Sequence, residues 1–354
     1  MTPQHLATIL RDSGAISSES VYAAFAAIRR EAFAPKFWVR AADGVRSCLT
    51  HSDDHDANEA WLKAVYEDNS LVTHLDKHGV AVSSSSQPTV MARMLDAIDA
   101  APGHQVLEIG TGTGYNAALL CHLVGDTNVF SVDIDPEVVE TARERLKSEG
   151  YQPRLAAGDG RTAQIGGPWD RLIATCGVRT VPPEWIRQCK PGAIMVLNIG
   201  YALARLEVSS DRTATGHFVA GYSAFMFARD AANAADPGLR IDTTALTSLR
   251  SYTEQIPTQI HSEAFQVILS LLAPNLTHLR LGPNRSAFAH VDGTRLLAEH
   301  DLLRGDLNVW DEVIAAYHRW SNWGFPNLHD MTVALTTEGH LDLQPRQAAE
   351  PKPV

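Results

Sequence analysis

A chain of 354 residues, 45% of them hydrophobic, is long enough to bury one large core or two smaller ones. Its formal net charge of −11 argues against broad phosphate binding, so nucleic acid is not an expected partner. The four cysteines (Cys48, Cys121, Cys176 and Cys189) lack any Cys-x-x-Cys pairing, which fits a reduced cytoplasmic protein with no metal site.

The first residues, Met1 to His5, carry no basic head before an apolar stretch, and no run reaches the roughly 18 apolar residues of a membrane span. Neither export nor membrane anchoring is expected. Helical patterns follow at His5–Arg11 and Glu19–Glu31, the second led by the capping serines Ser17 and Ser18. The acidic stretch His51–Asp56 reads as a solvated loop rather than a metal site. Residues 1–87 are therefore expected to form a small helical, substrate-facing region, and residues 88–228 the main α/β fold.

That main fold declares itself at Val106–Ile109, an apolar strand that carries Glu108 and runs into Gly110, Gly112 and Gly114 before a helical pattern from Tyr115 to Val124. Glycines there let the backbone turn tightly and approach a ligand that any Cβ would push away. The dinucleotide fingerprint wants its third glycine where Tyr115 stands and does not include Glu108, so the spacing favours S-adenosylmethionine over NAD. Next, Asn128–Asp133 is a β-branched run ending in an acid 19 residues past Gly114, the place from which a carboxylate meets ribose hydroxyls. Asp135 and Pro136 start a second helix that Gly150 ends, and the turn Gly158-Asp159-Gly160 sets an acid where it can meet an adenine amine. Three turns in register predict a Rossmann-like α/β unit. Its expected cofactor residues are Glu108, Gly110, Thr111, Gly112, Gly114, Tyr115, Asn116, Asp133, Ile134, Gly158, Asp159, Gly160 and Thr175.

Later strands are expected at Arg171–Thr175 and Ile194–Ile199, then a meander at Ala204–Val208 and Thr215–Val219. A polar join at Arg229–Gly238 leads to an accessory α+β domain over residues 239–345, where Trp310, Val313, Ile314, Tyr317 and Trp320 fall at helical spacing as a core stripe. Cys176 reads as a small buried residue near the site, and Gln344–Val354 as a frayed tail.

Several motifs in order then bear a family likeness. Phe33-Ala34-Pro35, Tyr66-Glu67-Asp68, Ser84-Ser85-Ser86-Gln87-Pro88, the glycine turn, Gly158-Asp159-Gly160 and Lys190-Pro191-Gly192 resemble the protein L-isoaspartate O-methyltransferases over roughly residues 5 to 200. The resemblance implies S-adenosylmethionine as methyl donor, S-adenosylhomocysteine as product, and Ser86 between cofactor and acceptor carboxylate, with Ser84 beside it. The pattern departs at Leu71-Val72-Thr73, where repair enzymes carry Leu-Pro-Ile-Gly, and at Ser85, where they have Ile. With these departures, the all-serine run and the accessory domain, which family repair enzymes are expected to lack, the chain looks like the methyltransferases encoded with ATP-grasp peptide maturases. That likeness implies methylation of an aspartate in a cyclised ribosomal peptide, collapse to aspartimide or isoaspartate, and an ATP-grasp ligase acting upstream. The rivals are general repair of L-isoaspartyl residues and a non-catalytic, cofactor-binding scaffold.

An aspartate side chain is ionised at neutral pH, with an ordinary pKa of about 3.9, so its methylation needs no general base. Alignment of the two reacting groups can supply roughly 7 to 11 kcal/mol of barrier reduction. The lack of a paired-carboxylate or Ser-His-Asp signature is consistent with such chemistry.

Overall fold

The computed structural model describes residues 1–40, 46–162, 165–229 and 242–346. The join at 230–241 and the last residues, 347–354, lie outside them. The N-terminal region opens with α1 (Pro3–Asp12), started by Thr2 and a proline, and α2 (Glu19–Ala27), capped by Ser18. The chain breaks at Ile28 and restarts as α3 (Arg30–Phe33). Beyond that point the region departs from the helical one expected over residues 1–87. β1 (Lys36–Arg40), β2 (Arg46–Thr50), β3 (Leu71–Leu75) and β4 (Ala81–Ser85) form a four-stranded sheet in the order β2-β1-β3-β4, with α4 (His55–Val65) between its halves. The acidic stretch is likewise a helix start rather than a loop throughout, because Asp54 accepts the amide hydrogen of Ala57 at 2.8 Å.

The central unit runs through α5 (Pro88–Ile98), β5 (Val106–Ile109), α6 (Tyr115–Val124), β6 (Val129–Asp133), α7 (Pro136–Ser148), β7 (Arg154–Ala157), β8 (Trp169–Val178), α8 (Pro183–Arg187), β9 (Cys189–Ile199), β10 (Ala202–Val208) and β11 (Ala214–Tyr222). Strands β9, β8, β5, β6 and β7 are parallel neighbours, and β10 and β11 continue the sheet antiparallel. β5 is apolar except for Glu108 and buried on both faces, as a central parallel strand must be. α5, α6 and the N-terminal helices cover one face, and α8 with the far end of the chain covers the other.

The accessory segment holds α9 (Thr243–Thr247), β12 (Ser251–Thr253), α10 (Glu263–Leu272), β13 (Leu276–Gly282), β14 (Arg285–His290), β15 (Arg295–Glu299), β16 (Leu302–Gly305) and α11 (Leu307–Asn322). Its five-stranded antiparallel sheet carries the predicted stripe against α10, with Val313 fully buried and Trp310 and Trp320 nearly so. The chain then returns to the main sheet. β17 (Met331–Leu335) pairs with β11 in the register Ala214↔Leu335, and β18 (Leu341–Pro345) forms the outer edge. A boundary enclosing 239–345 therefore cuts across the central sheet, and Gln344 and Pro345 are strand rather than tail. Among the described residues no helix is long and apolar enough to cross a membrane, and no cluster of His, Cys, Asp or Glu could hold a metal.

Candidate active site

β5 is the strand at which the parallel order reverses, with β6 leading away on one side and β8 on the other. A crevice forms at such a switch point because the flanking connections diverge to opposite faces. A cleft of about 400 Å³ opens here, walled by the glycine turn, the ends of β6 and β8, the β4 serines and the stretch after β11.

The turn owes its shape to positive φ angles of 100°, 52° and 86° at Gly110, Gly112 and Gly114. A Cβ on Gly110 would sit 2.7 Å from Thr175 Oγ1, a hydroxyl that donates to the Gly110 carbonyl at 2.6 Å. Thr175 thus lines the cleft and staples the turn to β8. Gly114 does not reach the cleft; its missing Cβ lets α6 approach Ala142 and Leu146 of α7. Gly158 also lies off the cleft wall, whereas Thr111, Tyr115, Asn116, Ile134 and Gly160 line it.

Asp133 stands at the end of β6, half-buried, facing the cleft. Its Oδ2 accepts from the Gly112 amide at 2.9 Å and its Oδ1 from the Asp135 amide at 3.2 Å, which aims the carboxylate while leaving lone pairs for a diol. Burial raises its pKa, and the two amides oppose that. Asp159 also faces the cleft, but Arg161 grips it through Nη2 at 2.7 Å, Nε at 3.0 Å and its own amide at 2.9 Å. Those bonds hold Asp159 below the usual carboxylate range and offset its charge.

Glu108 is placed differently from the sequence expectation of cofactor contact. It is fully buried beneath the turn and does not line the cleft. Oε1 accepts from Asn116 Nδ2 at 2.7 Å and Oε2 from Ser131 Oγ at 2.5 Å. When Glu108 is ionised, Ser131 gives its single proton to it, so Thr111, 2.7 Å away, donates to Ser131. Glu108 therefore sets two cleft residues, Asn116 and Thr111, from behind. Desolvation pushes its carboxyl up to about 7.

Across the cleft from the turn, Ser83, Ser84, Ser85 and Ser86 all line the wall, Ser83 and Ser85 buried and Ser84 and Ser86 partly exposed. Ser86 does not cap α5. Gln87 holds the N-cap position, and Asp68 takes the Thr89 amide at 2.8 Å and Gln87 Nε2 at 3.0 Å. What fixes the serine run is Arg30, which sequence reasoning missed. Its fully buried guanidinium donates to the carbonyls of Val65 (2.8 Å), Asn69 (2.9 Å), Ser86 (3.0 Å) and Glu67 (3.2 Å). Burial lowers its pKa to about 10, still cationic at neutral pH. Cys176 lines the cleft, but burial pushes its thiol up to about 12, so it stays protonated and inert.

The last wall, Tyr222–Arg229, has no sequence motif. Its backbone lies against the end of β8, where the Gly177 amide donates to the Met226 carbonyl at 2.9 Å and the Ala228 amide donates to the Gly177 carbonyl at 2.8 Å. Buried Asn198 donates to the Ser223 hydroxyl at 2.6 Å, and Arg229 reaches across to the Val82 carbonyl at 2.9 Å.

A parallel sheet with its cleft at the switch point and carboxylates at two strand ends defines a Rossmann-like nucleoside-cofactor fold. The model of the protein-L-isoaspartate(D-aspartate) O-methyltransferase family matches residues 39–224, and the chain belongs to that family. It is 35% identical over 140 residues to a protein-L-isoaspartate O-methyltransferase of Methanosarcina mazei, covering 38% of this chain and 56% of the relative. It is 40% identical over 119 residues to the one from Methanopyrus kandleri, covering 32% of this chain and 53% of the relative. This chain thus spans about half the length of the curated relatives it matches. A solved structure named protein-L-isoaspartate O-methyltransferase shares the fold, with a TM-score of 0.59 at 24% identity over 97% of this chain and 99% of that one. Coverage that wide includes the accessory segment.

Proposed function

We propose that this protein is an S-adenosylmethionine-dependent carboxyl O-methyltransferase acting on L-isoaspartyl residues of proteins or peptides. The observation that carries the reading is the joint cleft, in which Asp133 and the glycine turn face the Ser84 and Ser86 wall. The residues suit the donor. Asp133 offers acceptors to a ribose diol, and the Oδ1 of Asn116, a cleft residue, has no protein partner and can accept a hydrogen bond from an ammonium group. Bound there, S-adenosylmethionine supplies a methyl group on a sulfonium centre. The chain's own work is positional. Ser86 donates a hydrogen bond to the acceptor carboxylate, Arg30 fixes the Ser86 backbone, and Arg161 offsets the charge of Asp159 that would repel an incoming anion.

Two substitutions test the reading. Asp133→Ala should weaken S-adenosylhomocysteine binding by roughly 1.5 to 3 kcal/mol, seen by calorimetry on the folded variant. Unchanged affinity would remove Asp133 from the cofactor site. Ser86→Ala should cut kcat for methylation of an isoaspartyl peptide roughly tenfold or more and leave S-adenosylhomocysteine affinity within twofold. Wild-type turnover in that variant would free Ser86 of any role at the acceptor.

A second reading, methylation of an aspartate in an ATP-grasp-cyclised peptide inside the cell, is favoured by one feature. The two departures from the repair pattern meet at the acceptor wall, where Leu71 pairs with Ser85 and Val72 with Ser84. Mass spectrometry of a cyclised peptide incubated with protein and methyl donor decides between the substrates. Gain of a methyl group followed by loss of methanol supports the second, and faster methylation of a simple isoaspartyl peptide supports the first.

A further inference from the structure

The cleft does not end at the serine wall. It extends along Tyr222, Phe225 and Phe227 to a mouth where Tyr222 is 39% exposed. Tyr222 stacks on Tyr201, with ring centres 5.4 Å apart and planes 24° apart, and Phe227 meets Tyr201 edge-on at 6.4 Å. Behind this aromatic shelf stands the accessory domain. Arg179, just past the end of β8, lays its guanidinium 4.6 Å over the Phe227 ring. The same group donates to the Pro274 carbonyl at 2.8 Å and to Thr277 Oγ1 at 3.0 Å, both between α10 and β13 or on β13. A second strut joins the Tyr201 amide to Ser270 Oγ of α10 at 3.0 Å. Gly200 has a φ of 58° and room for no Cβ, which would lie 2.3 Å from that oxygen.

We infer that this shelf is a subsite for an apolar or aromatic side chain flanking the acceptor carboxylate, and that the accessory domain serves it through Arg179, a positioning residue. The inference rests on the methyltransferase reading above for what enters the cleft. The shelf is continuous with the cofactor cleft; a guanidinium anchored by two hydrogen bonds to the accessory domain holds Phe227, and Tyr201 backs Tyr222, so these rings are not left to find their own rotamers. The accessory domain accordingly acts by stiffening a wall, with no need to touch the peptide itself.

The full-length chain, saturated with S-adenosylhomocysteine, is titrated with two hexapeptides carrying asparagine at the acceptor position, flanked by phenylalanine or by glycine. The isoaspartyl versions of both are then assayed for methyl transfer. Wild type should bind the phenylalanine-flanked peptide about tenfold more tightly. Tyr222→Ala and Arg179→Ala should each erase most of that preference, Arg179→Lys should keep part of it, and S-adenosylhomocysteine affinity should not move. A merely structural Arg179 would lower stability and all affinities together, so a preserved tenfold ratio in Arg179→Ala overturns the inference, as does equal binding of the two peptides by wild type. A binding preference without any methyl transfer upholds the subsite and defeats the proposed reaction.

Discussion

Replacing Arg30 by Met should destabilise the protein by about 4 kcal/mol, which places it among the costliest single substitutions a chain of this kind can suffer. Five carbonyls, those of Val65, Glu67, Asn69, Ser85 and Ser86, share one guanidinium that is fully buried. Methionine fills comparable space but donates nothing, and each buried acceptor stripped of its donor costs about 1 to 3 kcal/mol. Lysine should not rescue, because a single ammonium cannot reach acceptors arrayed around a planar fork. Denaturant unfolding of wild type, Arg30→Met and Arg30→Lys checks this, and an unchanged midpoint for Arg30→Met would refute it. In whatever fraction stays folded, methyl transfer should fall further than S-adenosylhomocysteine affinity, since the guanidinium braces the acceptor wall and does not touch the turn.

Glu108→Gln should change how stability depends on pH. The buried carboxyl titrates near 7 against an ordinary 4.5, so between those values the folded state holds a proton that the unfolded chain has lost. Stability from this group is fully present below about 4.5 and is lost as pH rises through 7, a change of about 3 kcal/mol at 1.36 kcal/mol per unit. Glutamine does not ionise. Its oxygen can take the Asn116 bond and its amide can donate to Ser131, which then turns its proton toward Thr111. Relative to wild type, the variant should therefore gain about 3 kcal/mol between pH 4.5 and 8. Parallel stability profiles over that range would show that Glu108 is not the group that titrates.

The parts of the site legible in the sequence are those where backbone geometry restricts residue type. Positive φ at Gly110 and Gly112, a cap at Asp135 and an acid at the end of β6 leave marks that spacing alone can find. Glu108 was visible but misassigned, because an acid in a buried strand looks the same whether it meets ligand or braces the turn from behind. Arg30 left no mark. Beside Arg29, on a helical stretch, it resembles a solvated face, and its partners are carbonyls, which exist at every residue. The N-terminal sheet was missed because its strands are five residues long, and in Lys36–Arg40 a polar residue flanks an unbroken apolar triplet instead of alternating with it. Ser223–Arg229 is irregular chain, fixed by contacts with β8 and β9 that lie far away in sequence.

The return of the chain to β11 governs how the molecule is assembled. Ala214 meets Leu335 across roughly 120 residues, and closing so long an unstructured loop costs roughly 4 kcal/mol plus a constant. Prior folding of the five-stranded sheet shortens the free loop and lowers that cost, so the accessory domain should mature before the central sheet is finished. Until then β11 is an open edge, able to pair with any extended chain it meets. Cutting the chain near residue 237 would make that state permanent: it would remove β17 and β18 along with the accessory domain and leave an aggregation-prone ribbon at the border of the central sheet.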